Sequence, residues 1–338
     1  MRVVVADSNL QRYRSELVGG APADTMWVFH DRAEDAAVLA SLVDADVFIG
    51  PVLTAAMAEA APRLKLVQVA GAGTDGIATS ALPDGAVLAN TFHHGRSIAE
   101  YVVMALGVLT RRVVAADAAL RSGRWSSPVY DPTLPQPPIL RGSTVGLVGF
   151  GNIGAETWSV LRCLGLEGIA VTRTGRGIAQ EVGLRWSAGP ERLDQLLQAA
   201  DHVVVCVPLS RETTGLIGAA QFARMKPSAV LINVARGPVV DEQALFEALR
   251  DRRIAGAAID VWYHYPAEGD TGEPSRLPFA SLDNVLMTPH LSGVTTDTFR
   301  GRVGDICRNL HALAEGGELV NVVARKVGSA PTAGEAYR

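Results

Sequence analysis

The sequence predicts an α/β protein made of two doubly wound parallel-sheet domains, and three observations carry that expectation. Short apolar runs alternate with helical patterns in residues 1–90 and again in residues 143–289. A glycine-rich stretch, 145–154 (VGLVGFGNIG), lies between a buried strand and a helix in the second set. At 338 residues the chain is long enough for two cores.

In order, residues 2–6, 26–29, 46–49, 65–69 and 86–89 read as strands, with helices clearest at 34–42 and 54–61. Residues 69–75 (VAGAGTD) form a small-residue turn straight after a strand. Ligands in open parallel sheets bind beyond the carboxyl ends of strands, so this turn reads equally as a ligand contact or a flexible connection. Apolar residues Ile98, Val102, Ala105, Leu109 and Val113 predict one long helix over 97–121. The Pro-rich residues 126–140 (SSPVYDPTLPQPPIL) exclude a regular element and suggest an extended connection or an arm gripping a second subunit. The second set has strands at 144–148, 168–172, 202–207, 229–233, 257–261 and 285–287. Helices fall between them, among them 191–199 and 241–250, the latter with Pro238 and acids near its start. A last helix, 295–315, returns the chain to the first lobe, and the Gly, Ser, Ala and Pro-rich tail after Val323 is expected to fray. These boundaries predict a discontinuous domain of residues 1–97 plus 297–338 and a second of residues 98–296.

The chemistry centres on the glycine stretch. Gly149, Gly151 and Gly154 make a tight turn, and the helix opening at Asn152 and Ile153 aims backbone N–H groups at a pyrophosphate. A formal net charge of −4, with Lys and Arg scattered, gives no case for nucleic acid. Cys163, Cys206 and Cys307 lie far apart among apolar neighbours, the pattern of reduced cysteines in a cytoplasmic protein. The start, MRVVVADSN, carries no signal-peptide core, and the longest apolar run, 102–109, is too short to span a bilayer. His93 and His94 have no further ligand cluster to make a metal site.

Further stretches follow the glycine turn in a set order: Val207-Pro208-Leu209 with Glu212-Thr213, then INVARG (232–237) and VVDE (239–242). AIDV (258–261) and Thr288-Pro289-His290 complete the series. In this order the sequence resembles the D-2-hydroxyacid dehydrogenases, the group of glyoxylate/hydroxypyruvate reductases and of phosphoglycerate, formate and phosphite dehydrogenases, over most of residues 69–295. The resemblance implies two Rossmann-like lobes, the first flavodoxin-like and substrate-binding, with catalysis in the cleft and a homodimer built on the cofactor domains. It implies that Arg236, a planar and permanently charged fork, grips a carboxylate and the adjacent carbonyl oxygen. His290 would give or take the proton, since imidazole titrates near neutrality. Hydride transfer belongs to the nicotinamide, which the protein orients. Val207, Pro208, Thr213, Val234, Ala235 and Gly293 would line the cofactor, with Asp260 near its carboxamide. Ala72 and Gly73 would offer backbone N–H groups to the substrate acid.

Two positions depart from the family pattern. Most members carry a Glu 29 residues after the Arg and five after the Asp, hydrogen-bonded to the His; here both counts land on Tyr265. Without that carboxylate the imidazolium is less favoured, while a Tyr hydroxyl can still orient the ring or lend a proton. Formate dehydrogenases carry Gln in the similar region, so the acid is replaceable. Two accounts stand: Tyr265 pairs with His290 on an unusual substrate, or else Glu268 fills the place by a small loop shift or catalysis is weak or absent. His94 falls on a position where relatives keep an Asn near the substrate, either as an anion contact or as part of a polar loop.

The cofactor preference rests on the end of the second strand. Dinucleotide enzymes selective for NAD place an acid there, about 20 residues beyond the glycines, on the ribose diol. Here that end reads Thr172-Arg173-Thr174-Gly175-Arg176, and the nearest acid, Glu167, lies at the start of the strand. Hydroxyls and guanidinium groups suit a 2′-phosphate, so NADP(H) is expected over NAD(H). The resulting expectation is an NADPH-preferring oxidoreductase of small 2-oxo or 2-hydroxy acids. One rival is a dehydrogenase of a non-ketoacid oxoanion such as formate or a phosphonate. The other is a catalytically weak dinucleotide-sensing binding protein.

Overall fold

The computed structural model describes residues 1–31, 36–175, 177–266 and 270–326. The chain divides into two compact units, Met1–His93 with Thr295–Arg338, and His94–Val294.

In the first unit, strands β1 (Arg2–Ala6), β2 (Met26–His30), β3 (Val47–Ile49), β4 (Leu66–Gln68) and β5 (Val87–Ala89) pair in parallel. A terminal strand, β13 (Val322–Arg325), adds antiparallel to β5, giving the order β13-β5-β4-β3-β1-β2. Short Val/Ile/Leu-rich strands suit such a sheet because both faces are covered. Helix Thr296–Glu315 lays Phe299, Val303, Ile306 and Leu310 in one core with Val3, Val5, Val47 and Leu66. Val38, Leu42 and Met57 share the other core with Val4, Phe48 and Val67. The strand order turns between β1 and β3.

In the second unit, β6 (Thr144–Val148), β7 (Glu167–Val171), β8 (Trp186–Ala188), β9 (His202–Val205), β10 (Val230–Asn233), β11 (Gly256–Ile259) and β12 (Val285–Met287) form an all-parallel sheet. Its order is β12-β11-β10-β9-β6-β7-β8, so the winding reverses between β6 and β9, where open α/β sheets bind ligands at their carboxyl edge. The fold class expected from the sequence is the one observed.

Two local expectations need correction, and one strand, β8, is absent from the expected set. The pattern at 97–121 forms two helices, Gly95–Thr110 and Val113–Arg121, separated at Arg112, which adopts a left-handed φ of 52° and reaches Asp283 at 3.6 Å. Apolar spacing continues across the break, so periodicity alone hides it. The half-buried β8 is too short, at three residues, to show a period. The segment after Val320 is paired as far as Lys326, whose N–H donates to the Ala86 carbonyl, because the edge of β5 offers it a ladder. Residues 327–338 lie outside the described residues.

Candidate active site

The glycine turn after β6 is built for close approach. Gly149 sits at φ +103°, and a Cβ there would lie 2.9 Å from the Cys206 carbonyl oxygen and from Val207 Cγ1. A Cβ at Gly154 would come within 2.6 Å of the Gly149 oxygen, whereas one at Gly151 would meet nothing within 4 Å. Helix Asn152–Leu161 starts at Gly151 without a side-chain cap among the described residues, so no capping side chain satisfies its first N–H groups. The Cys206 thiol donates to the Gly149 carbonyl at 3.1 Å, and burial pushes it up to about 12, so it stays protonated. At the neighbouring strand end, Thr172 Oγ1 is buried without a hydrogen-bond partner among the described residues, and Arg173 and Thr174 form an exposed turn. Arg176, expected to join them, lies outside the described residues. An uncapped helix start, an open glycine cradle and an orphan hydroxyl together fit a dinucleotide. After β9, Thr213 accepts the Ser210 N–H at 2.7 Å and donates to the Pro208 carbonyl at 2.7 Å, which folds that loop on itself.

Three turns at the carboxyl edge then tie to one another. After β10, buried Asn233 accepts the Ala235 N–H at 3.1 Å and donates to the Arg236 carbonyl at 3.1 Å. Val234 donates its N–H to Val205, and Arg236 Nη1 donates to the Ala235 carbonyl at 2.9 Å. At Gly237 the chain presses on the Trp262 backbone so closely that a side chain would collide with its carbonyl. After β11, the fully buried Asp260 accepts from the Thr288 hydroxyl at 2.6 Å, the Leu291 N–H at 2.9 Å and the Ser292 N–H at 2.9 Å. Asp260, expected beside the carboxamide, thus commits both oxygens to the turn that carries His290.

That turn is strained and braced. His290 has a φ of 57°, a conformation that costs a non-glycine residue about 1–3 kcal/mol and persists only where its surroundings over-determine it. Trp262 Nε1 donates to the Thr288 carbonyl at 2.8 Å, Tyr101 contacts the Thr288 hydroxyl at 2.7 Å, and Ser97 donates to the Ser292 carbonyl at 2.6 Å. Gly293 packs against His94, which is buried at the start of helix Gly95–Thr110.

The residue in the unusual position meets the histidine. The Tyr265 hydroxyl lies 3.0 Å from His290 Nδ1 and accepts the Trp262 N–H at 3.2 Å. Burial raises the Tyr265 pKa, while the Trp262 N–H and the nearby Arg236 charge pull the other way; the net shift is upward, so the phenol stays neutral. Arg236, Tyr265 and His290 therefore share one electrostatic neighbourhood. Glu268, the other candidate for the acid's place, lies outside the described residues. In the first unit, the Ala72 carbonyl accepts from Asn90 Nδ2 at 2.8 Å, and the N–H groups of Ala72 and Gly73 donate to no acceptor among the described residues. His93, beside the other histidine, pairs with Asp305 at 2.8 Å.

The model of the D-isomer specific 2-hydroxyacid dehydrogenase NAD-binding domain matches residues 103–292. The chain belongs to this family. Glyoxylate reductase of Thermofilum pendens is 34% identical over 277 residues, 78% of this chain and 76% of that protein. D-3-phosphoglycerate dehydrogenase of Methanocaldococcus jannaschii is 31% identical over 293 residues, 85% of this chain and 53% of that protein. Among solved structures, an NADPH-dependent glyoxylate/hydroxypyruvate reductase of Sinorhizobium meliloti, in complex with NADP and malonate, is 30% identical with a TM-score of 0.75, covering 96% of each chain. This family member is accordingly an NAD(P)-dependent oxidoreductase. Among the described residues, no helix is long and apolar enough to cross a membrane.

Sequence reading passed over the residues that hold the site in place. Tyr101 lies on the apolar stripe of a helix, where its hydroxyl looks incidental, although a buried Tyr generally needs a partner. Asn233 lies inside a recognised stretch and Trp262 directly after one, but both act through contacts to backbone carbonyls that residue type does not announce.

Proposed function

We propose that the enzyme reduces a small 2-oxo acid to the 2-hydroxy acid with NADPH, using Arg236, His290 and Tyr265 as its catalytic residues. The observation that carries this reading is the 3.0 Å contact between Tyr265 and His290 Nδ1 beside the Arg236 guanidinium. Arg236 takes the substrate carboxylate and polarises the carbonyl oxygen. Because Tyr265 engages Nδ1, the proton passes from Nε2 to that oxygen as charge develops. The Tyr265 hydroxyl keeps a second lone pair after accepting from Trp262, so it can accept from Nδ1–H both in the charged ring and in the neutral ring left once Nε2 has given up its proton. The contact thus survives the proton transfer. When bound, the reduced nicotinamide supplies the hydride that adds to the carbonyl carbon.

Gly149, Gly151, Asn152, Ile153 and Gly154 are assigned to the pyrophosphate, with Val207, Pro208, Thr213, Val234, Ala235, Asp260 and Gly293 around the rest of the cofactor. Thr172, Arg173, Thr174 and Arg176 are assigned to a 2′-phosphate; the orphan hydroxyl of Thr172 and the absence of an acid in this stretch support NADP. Ala72, Gly73 and His94 are also assigned to the substrate, the first two through N–H groups that donate to no acceptor among the described residues. Leu120, Trp125, Val129, Tyr130 and Ile139, each more than half exposed, support a homodimer, and we assign the protein to the cytoplasm. The test is NADPH oxidation with glyoxylate, hydroxypyruvate and pyruvate, with formate and NADP as the opposing assay. A 2-hydroxy acid product is expected; turnover of formate alone, or none at all, overturns the reading.

A further inference from the structure

We propose that Tyr101 and Thr288 are positioning residues, forming with Asp260 a hydroxyl chain that holds the turn presenting His290. The inference rests on the reading of His290 as the proton donor. Its geometry is continuous from a helix to a buried charge. The Thr288 hydroxyl donates to Asp260 Oδ1 at 2.6 Å, which leaves its oxygen to accept from Tyr101 at 2.7 Å. The proton direction is fixed at both ends: a carboxylate only accepts, and burial pushes the Tyr101 phenol up to about 12, keeping it a donor. Hydrogen bonds in such a chain polarise and strengthen one another in a low-dielectric interior.

Thr288 is also the hub for the turn's backbone. Its N–H donates to Ile259, and its carbonyl accepts both Trp262 Nε1 at 2.8 Å and the His290 N–H at 3.1 Å. Asp260, oriented by the Thr288 hydroxyl, takes the N–H groups of Leu291 and Ser292. Residues on both sides of the left-handed His290 are thus fixed to one carboxylate, and the ring direction follows. Removing a hydroxyl leaves a buried acceptor short of a donor and frees the turn to relax toward ordinary backbone angles. A displacement of that size acts on the reacting geometry more than on substrate affinity.

The test uses the full chain and the variants Thr288→Val, Thr288→Ser and Tyr101→Phe, with His290→Asn as reference. Glyoxylate reduction gives kcat and KM, and hydrogen exchange of the Leu291 and Ser292 amides is followed in protein without added nucleotide. Thr288→Val is expected to lower kcat about 10–100-fold with KM within about threefold. Thr288→Ser should stay within about threefold of the parent, and Tyr101→Phe should fall between the two. The two amides should exchange at least about tenfold faster in Thr288→Val and return to parental rates in Thr288→Ser. Unchanged kcat in Thr288→Val, a loss confined to KM, or failure of Ser to rescue overturns the proposal. Full activity in His290→Asn overturns instead the reading on which it rests, and amide exchange still decides whether the clamp exists.

Discussion

The two edges of the β6–β12 sheet handle polar groups in opposite ways. At the amino edge charges are satisfied pair by pair. Asp201 accepts from the Thr144 N–H and Lys226 Nζ, each at 2.8 Å, and Asp283 is bridged by Arg112 and Arg252. At the carboxyl edge three turns brace one another: Asn233 ties the Arg236 turn, Gly237 abuts Trp262, Trp262 holds Thr288, and Tyr265 meets His290. Both edges contain left-handed non-glycine residues, Arg112 and Arg252 at one and His290 at the other. Strain alone therefore does not mark function. The exposed arginine pairs contribute about 0–1 kcal/mol each and can be lost singly, whereas the carboxyl-edge turns fix side-chain directions that chemistry needs.

The strongest way to break this contrast is to alter the carboxyl edge and look for lost stability. His290→Asn is expected to lower kcat for glyoxylate reduction by about 10³-fold, within the range for losing a general acid, with Tm almost unchanged. A comparable drop in Tm would make the turn part of the stability core and erase the distinction. Next in size is Arg173→Ala. If the turn after β7 reads a 2′-phosphate, KM for NADPH should rise about 10–100-fold while that for NADH changes little, the difference of one or two charge-assisted hydrogen bonds. Equal effects on the two nucleotides would sink the NADP assignment.

How much of this was legible beforehand follows from which constraints are local. The glycine turn was readable because steric crowding at Gly149 and Gly154 admits no other residue type, and the strands because a parallel sheet demands apolar runs. Tyr265 was flagged by its distance along the chain from Arg236 and Asp260, and its hydroxyl does lie at His290. The break at Arg112 was invisible because apolar spacing runs through it. The Tyr101–Thr288–Asp260 chain was equally hidden, since its members stand up to 187 residues apart and only β11, β12 and a helix in register bring them together. Residue type announces a steric or chemical demand on one stretch; it does not announce which distant hydroxyl will answer a buried carboxylate.

Smaller effects sharpen the contrast further. If His290 is the proton donor, reduction requires a charged imidazole and its rate falls as that charge is lost at higher pH. Tyr265→Glu supplies a carboxylate that favours the charged ring and should move the alkaline limb of the kcat/KM profile to higher pH. Tyr265→Phe should lower kcat by about 3–10-fold, the cost of one lost hydrogen bond to the ring. An alkaline limb that stays in place in both variants would remove Tyr265 from the proton pathway.

The smallest effect belongs to the amino edge and concerns stability alone. His202 is buried at the start of β9, its Nε2 3.0 Å from Ser143 Oγ. Because Ser143 already donates to the Leu140 carbonyl, Nε2 carries the proton and Nδ1 keeps a lone pair with no partner among the described residues. Burial lowers the His202 pKa below its ordinary 6.5, with Asp201 opposing and Lys226 assisting. A lowered pKa means that just below pH 6.5 the unfolded chain binds a proton that the folded chain refuses. Stability is therefore full above that pH and declines as pH falls toward the folded-state value. His202→Gln keeps a donor for Ser143 but cannot titrate, so its Tm should drop less than the parent's between pH 7.5 and pH 5.5. Each kcal/mol of difference would appear as about 2–4 °C for a unit of this size. Glyoxylate reduction at pH 7.5 should match the parent, because none of the three braced turns touches this residue. Identical acid slopes in the two proteins would show that the buried imidazole accepts its proton as readily folded as unfolded, and His202 would then be no source of acid sensitivity at the amino edge.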